Sequence, residues 1–155
     1  MGVDGKMYRL FSWEVSASPN TALKKAIRIA IEYGADRVIV ETDQGGDLWE
    51  TEYREAVEEI EQEYIDADEV PPRMPAFDDA KAGSGHGPKV HRSQKMLRSY
   101  ETGRIIHVTG THRVLERALY RFPDTEPLDL ADAAYWGWYD LIGEQRGVSV
   151  GMTTF

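Results

Sequence analysis

A short β-branched run, Arg37–Thr42, stands between two segments whose apolar side chains recur at helical spacing. The first segment begins at the helix-start signal Ser18-Pro19 and stops at Gly34, and the second runs from Leu48 to Ala67. A run of this length and composition is typical of a buried strand. A buried strand enclosed by two amphipathic helices restricts the chain to folds in which helices cover a sheet.

The rest of the chain continues this alternation. The further predicted elements are a strand at Tyr8–Val15, a short edge strand at Met74–Phe77, a flexible loop at Ala82–Gly87, a helix at Pro88–Thr102, a strand at Arg104–Val108 and helices near 111–121 and 128–142. We therefore expect an α/β protein. The 155-residue length predicts one domain over residues 1–145 and a tail over 146–155.

Charge is distributed unevenly along the chain. The formal net charge is −9, and residues 50–69 alone carry −9, with ten acids and one base, Arg54. Residues 73–121 hold ten Lys or Arg against four Asp or Glu, a local charge of +6. An acidic chain with a basic region can still present a positive face to phosphate.

Several classes of protein are excluded or disfavoured. The chain has no cysteine, which excludes disulfides, thiolate catalysis and sulfur-based zinc sites and fits a cytoplasmic location. No apolar run is long enough to cross a membrane, no signal peptide precedes the first strand, and no phosphate-binding ATPase loop occurs.

Acidic residues fall at two positions where ligands collect in α/β proteins. Glu41 ends the buried strand and Asp43 lies in the turn after it, while Asp129 and Asp132 lie three residues apart at the start of the last helix. Carboxylates from two elements repel each other unless a hard cation lies between them. Mg²⁺ or Mn²⁺ would fit such a site, and a pair of these ions can hydrolyse phosphodiesters.

Each of these residues also has a simpler interpretation. Asp129 and Asp132 are acids of the kind that stabilise any helix N-terminus, and on spacing alone this interpretation is favoured. The basic residues after Pro88 could form a solvated helix face, namely Lys89, Arg92, Lys95 and Arg98. The four histidines lack metal-ligand spacing, and Trp136 and Trp138 are expected in the core.

The run from Val38 to Asp47, with its Glu-Thr-Asp-Gln-Gly-Gly-Asp end, resembles the strand and turn of phage terminase large-subunit nuclease domains. Four further segments resemble that family in the same order: Lys89–Arg92, Tyr100–Val108, the helix with Leu115-Glu116 and Phe122, and Leu128–Ala133 with Trp136. The similarity covers roughly residues 5–142.

This resemblance implies a ribonuclease-H-like mixed sheet flanked by helices and a DNA-cutting function. It implies that Glu41 and Asp132 are catalytic, metal-binding acids, with Asp129 as an auxiliary acid or ligand. Lys89 and Arg92 would contact the DNA backbone. The full-length protein would act on concatemeric double-stranded DNA in an infected or lysogenic bacterial cell, with a portal and a small terminase subunit as partners.

Two departures from the family pattern affect the expected chemistry. Asp43 stands where the family usually has Asn, and the added charge could bind metal. No strand precedes Tyr8–Val15 to carry the family's first catalytic Asp, so we expect a truncated fragment that cleaves poorly. A missing central strand would leave unpaired sheet edges and favour self-association.

Other functions remain open at this stage. A resolvase-like nuclease could share the fold, and a non-catalytic remnant or assembly module could keep the fold without the chemistry. A third alternative is an acidic protein-binding domain that uses the charged face of residues 50–69.

Overall fold

The computed structural model describes residues 4–43, 45–81, 83–108, 110–124 and 129–143. The elements in chain order are β1 (Met7–Arg9), α1 (Pro19–Glu32), β2 (Arg37–Glu41), α2 (Leu48–Asp66), β3 (Ala76–Ala80), α3 (Gly83–His86), α4 (Lys89–Glu101), β4 (Ile105–His107), a 3₁₀ turn (Gly110–His112), α5 (Arg113–Tyr120) and α6 (Asp129–Ile142). Helices and strands alternate, so the predicted α/β class is confirmed. The predicted tail, 146–155, lies outside the described residues.

The chain divides into two compact units, which are described separately. Unit 1 comprises Met1–Trp13 together with His86–Phe155, and unit 2 comprises Glu14–Gly85. The described strands form one two-stranded parallel sheet in each unit, β1 with β4 and β2 with β3. The ribonuclease-H-like mixed sheet is therefore not confirmed by the pairings among these strands.

Unit 2 is built from α1, β2, α2 and β3. Ser18 accepts a hydrogen bond from the Thr21 backbone N–H at the start of α1, Pro19 occupies the first turn, and Gly34 follows the helix with a φ of +64°. The apolar faces of α1 and α2 meet in a core of five buried residues, Leu23, Ile27, Tyr53, Ala56 and Ile60. The helical periodicity of both segments therefore predicted the buried faces correctly.

Strand β3 begins two residues later than the sequence predicted. Its ladder with β2 starts where the Ala76 backbone N–H donates to the Asp36 carbonyl, and it ends opposite Glu41. Pro75 has no N–H to extend the ladder toward Met74. The strand continues instead through Asp78 and Asp79. Because these side chains are acidic, the pattern of apolar residues did not predict this part of the strand.

Unit 1 packs α4, α5 and α6 with the β1–β4 pair. Its buried apolar residues include Met7, Met96, Ile105, Leu115, Tyr135, Trp136 and Trp138. Burial of both tryptophans confirms their predicted place in the core. No helix in the described part of the chain is long and apolar enough to cross a membrane.

Two local predictions for residues 8–15 and 82–87 were wrong. Strand β1 ends at Arg9 rather than Val15, because its partner β4 ends at His107 and the chain then enters the 3₁₀ turn at Gly110. The last bond of this ladder joins the Val108 N–H to the Arg9 carbonyl. Residues 83–86 of the predicted flexible loop form the helical turn α3.

Candidate functional site

The predicted site residues fall into two groups, one in each unit. Glu41 and Asp43 belong to unit 2, whereas Lys89, Arg92, Asp129 and Asp132 belong to unit 1. The groups are therefore described one after the other.

The first turns of α4 and α6 bring the four unit 1 residues together as two ion pairs. Arg92 binds Asp132 through two hydrogen bonds, from Nε to Oδ1 at 2.6 Å and from Nη2 to Oδ2. Lys89 Nζ lies 2.6 Å from Asp129 Oδ1 and 3.7 Å from Asp132 Oδ2. Both helices space their charged residues three apart, so matching side chains project side by side from each first turn.

The two ion pairs differ sharply in burial. The side chains of Arg92 and Asp132 are 2% and 1% exposed, whereas those of Lys89 and Asp129 are 39% and 77% exposed. A buried, bidentate guanidinium–carboxylate pair satisfies both charges and leaves neither facing water. In this structure Arg92 therefore contacts Asp132 rather than solvent, while Lys89 stays accessible.

Aromatic side chains of α6 enclose the buried pair. The Arg92 guanidinium carbon lies 5.1 Å from the centre of the Trp136 ring and 6.0 Å from that of Tyr135. The Tyr135 hydroxyl is 2.8 Å from His86 Nδ1, which anchors the tyrosine from outside. This low-polarity wall strengthens the attraction between Arg92 and Asp132 and excludes water from it.

The unit 2 group lies at the carboxyl end of the β2–β3 pair. Glu41 is the last residue of β2, and the Thr42 backbone N–H donates to the Ala80 carbonyl at 3.0 Å. The turn that follows contains Gly45, whose φ of +96° favours glycine and where a Cβ would lie 3.0 Å from Trp49 Nε1. The backbone conformation therefore explains why glycine stands at position 45. Gln44, which precedes it, lies outside the described residues.

A lysine occupies the acidic end of this sheet. Lys81 Nζ lies 3.0 Å from Asp79 Oδ2, and the hydrogen bond between them lowers the pKa of Asp79 and raises that of Lys81. The negative charges of Asp47 and Asp43 raise the Lys81 pKa further. Sequence analysis missed Asp79, and the signal that could have identified it is its place one residue before the carboxyl end of β3.

The acids supply oxygen ligands only, which is the donor set that Mg²⁺ and Mn²⁺ prefer. Glu41, Asp43 and Asp129 fit such ions by chemistry. Asp132 fits less well in this arrangement, since it is fully buried and both of its oxygens bind Arg92. No group of three or more His, Asp or Glu side chains within the described ranges is arranged to hold a metal ion.

Unit 1 also contains a polar chain that the sequence did not predict. The Tyr100 hydroxyl accepts a hydrogen bond from Arg9 Nε at 2.8 Å and lies 2.9 Å from His107 Nε2, and His107 Nδ1 lies 2.8 Å from Glu116 Oε1. Burial raises the pKa of Tyr100 despite the opposing charge of Arg9. This tyrosine is therefore held as a neutral phenol, which suits a structural hydrogen-bond donor better than a nucleophile.

Comparison of the chain with family models, curated proteins and solved structures gives no match.

Proposed function

We propose that the chain is the ribonuclease-H-like nuclease domain of a viral DNA-packaging terminase large subunit and cuts double-stranded DNA with Mg²⁺ or Mn²⁺. The observation that supports this proposal is the position of Glu41, at the carboxyl end of a parallel strand and directly before a glycine turn. Ligand sites of α/β sheets lie beyond this end of the strands. The five sequence segments that resemble the family supply the rest of the argument.

In this proposal the acidic residues act as metal ligands and the basic residues orient or balance them. Glu41 and Asp43 in unit 2 offer a partly accessible and an accessible carboxylate as ligands, and Asp129 in unit 1 offers an accessible one. When bound, two metal ions would activate a water molecule and stabilise the leaving oxygen. Arg92 orients the Asp132 carboxylate. Asp132 becomes a ligand only if the Arg92 guanidinium releases one of the two Asp132 oxygens. Lys89 balances the charge of Asp129 and remains exposed enough to meet a phosphate.

A non-catalytic remnant or assembly module is the second candidate, and a specific observation favours it. The carboxylate of Asp132 is already neutralised by Arg92 inside the core, an arrangement that stabilises the fold without a metal ion. DNA packaging in a bacterial cytoplasm, with portal and small-subunit partners, belongs to the first candidate.

Plasmid cleavage with Mn²⁺, Mg²⁺ or EDTA tests the proposal. Glu41→Gln and Asp132→Asn remove candidate ligand charges, and Glu50→Gln, an exposed acid on α2, is the matched control. We expect weak metal-dependent cutting that both site variants lose and the control retains. Thermal melting of each variant identifies any loss that comes from unfolding.

Calorimetric titration with Mn²⁺ separates the two candidates. Binding that Glu41→Gln weakens at least about tenfold would support the nuclease, since a lost charged ligand costs that much or more. A folded protein that neither cuts DNA nor binds Mn²⁺ would overturn the endonuclease proposal and favour the remnant.

A further inference from the structure

A concave basic surface lies between α4 and α6 of unit 1, away from the two ion pairs. The groove has a volume of about 580 Å³ and is lined by His91, Lys95, Arg98 and Arg104 on one side and by Trp138 and Ile142 on the other. We call it the α4 groove. None of the site residues predicted from the sequence lines it.

Helical geometry separates this surface from the buried ion pairs. His91, Lys95 and Arg98 follow one another at intervals of four and three residues, so they form one exposed stripe along α4. Arg92 and Met96 lie on the neighbouring face, which is buried. The same helix therefore directs one arginine into the core and aligns other basic residues along the surface.

Among the described residues, no acid pairs with the Lys and Arg side chains of the α4 groove, which are Lys95, Arg98 and Arg104. Three acids of unit 1, Asp132, Asp129 and Glu116, instead pair with Arg92, Lys89 and His107 respectively. A concave surface lined by basic residues attracts anions, because the low-dielectric protein around it concentrates the electric field.

The length and the walls of the groove indicate which anion fits. Seven residues of α-helix separate His91 from Arg98, a rise of about 10 Å, which exceeds the reach of a single phosphate group. The Trp138 ring is buried, and its Nε1 donates to Ser99 Oγ at 2.9 Å. It therefore offers no exposed ring for stacking an unpaired base, which single-strand binding sites use.

We propose that the α4 groove binds the phosphate backbone of double-stranded DNA, and that Lys95, Arg98 and Arg104 supply the main contacts. This inference rests on the proposed nuclease function and assigns its DNA-binding surface to these residues rather than to Arg92. Contacts of flexible cations with phosphate carry no sequence information, so binding is independent of base sequence.

The test measures DNA binding without cleavage. Fluorescence anisotropy of a short labelled duplex in EDTA gives the affinity of the full chain, of Lys95→Gln/Arg98→Gln/Arg104→Gln and of Arg113→Gln/Arg117→Gln/Arg121→Gln. The second variant is the matched control, since it removes three exposed arginines, two in α5 and one directly after it, and changes net charge equally. Thermal melting verifies that both variants fold.

We expect the groove variant to bind at least about tenfold more weakly at moderate salt, and its salt dependence to lose a slope of about 3. The control should change affinity less than about threefold. Duplexes of different sequence should bind alike, and millimolar inorganic phosphate should compete poorly.

Equal weakening in both variants would overturn the inference, because net charge alone would then explain binding. Unchanged binding in the groove variant would also overturn it. Tighter binding of single strands would overturn it in favour of an unpaired nucleic acid. Full competition by inorganic phosphate would overturn it in favour of a single phosphate group. Groove-dependent binding by a chain that never cuts DNA would support the inference while contradicting the nuclease proposal, so the two failures are distinguishable.

Discussion

Both units bury apolar side chains, but they differ in whether they also bury charged ones. The core of unit 2 consists of apolar residues and one tyrosine, and its ion pairs lie on the surface, among them Lys24–Glu59 and Arg28–Glu63 between α1 and α2. Unit 1 buries an arginine, an aspartate, a histidine and two serines beside its aromatic residues. The acid-rich unit therefore keeps its charges outside, and the basic unit places two of them inside.

This difference implies two modes of stabilisation. The stability of unit 2 depends on the removal of apolar surface from water and on close packing. Side-chain volume therefore matters most there. Unit 1 depends in addition on buried polar pairs such as Arg92 and Asp132, in which each charge needs the other. Loss of one polar atom should therefore damage unit 1 more than unit 2.

The largest expected effect comes from separating Arg92 and Asp132. Asp132→Leu or Arg92→Met alone should lower the free energy of unfolding by about 3–5 kcal/mol, because the remaining charge is buried without a partner. The double variant Arg92→Met/Asp132→Leu should recover most of this loss, since a buried ion pair and an apolar pair are often equivalent. Urea unfolding followed by tryptophan fluorescence measures all three.

A double variant as unstable as the singles would contradict this account of the ion pair. If the double variant folds, it also sharpens the functional test. A stable protein without Asp132 that has lost metal-dependent cutting would assign the loss to chemistry rather than to folding.

In unit 2 the corresponding test removes volume. Ile60→Ala should lower the free energy of unfolding by about 2–4 kcal/mol, because Ile60 is fully buried between α1 and α2 and its removal leaves a cavity. Ile65→Ala, on the exposed side of the same helix, is the matched control and should cost less than about 1 kcal/mol. Equal losses in the two variants would show that α2 does not bury the face described.

A smaller effect is expected from His112 on acidification. Burial lowers the pKa of His112 from its usual 6.5, and the neighbouring His107 lowers it further. Because the unfolded chain then binds the proton more readily, stability is fully present above about pH 6.5 and falls as the pH drops toward the folded pKa.

Urea unfolding between about pH 5 and about pH 8 measures this dependence. His112→Gln should flatten the acid side of the profile, and His91→Gln, an exposed control, should leave it unchanged. His112→Gln also removes the hydrogen bond between His112 Nδ1 and Ser12 Oγ, so we expect this variant to be less stable at neutral pH as well. An unchanged profile in His112→Gln would contradict the assignment.

The smallest effect should come from the surface pairs of unit 2. Lys24→Gln should change the free energy of unfolding by less than about 1 kcal/mol, because exposed ion pairs are screened and their side chains lose entropy when fixed. High salt should abolish even this difference. A loss as large as that of Asp132→Leu would remove the contrast between the units.

Local patterns in the sequence explain which elements were predictable. The apolar period of 18–34, with Ser18 before it and Gly34 after it, predicted α1 closely. The β-branched run predicted β2, because strands of buried parallel sheets are usually continuous runs of apolar residues. Strand β3 was misplaced, since pairing with β2 rather than composition selects Ala76–Ala80.

The candidate site was predictable only as a set of charged residues. Spacing of three residues predicted that Lys89 and Arg92, and likewise Asp129 and Asp132, share a helix face. It did not predict that the two helices would turn these faces toward each other. The contrast between the buried Arg92 and the exposed Arg98 has no signature in composition.

The sequence by itself determined the α/β class, the limits of the long helices and the segregation of charge along the chain, because these follow from local periodicity and residue type. Only the tertiary structure decided which charges are paired. Burial and the distance between side chains far apart in sequence set the energy of an ion pair, so Arg92 stabilises the core of unit 1 while Lys95 and Arg98, a few residues later, face solvent.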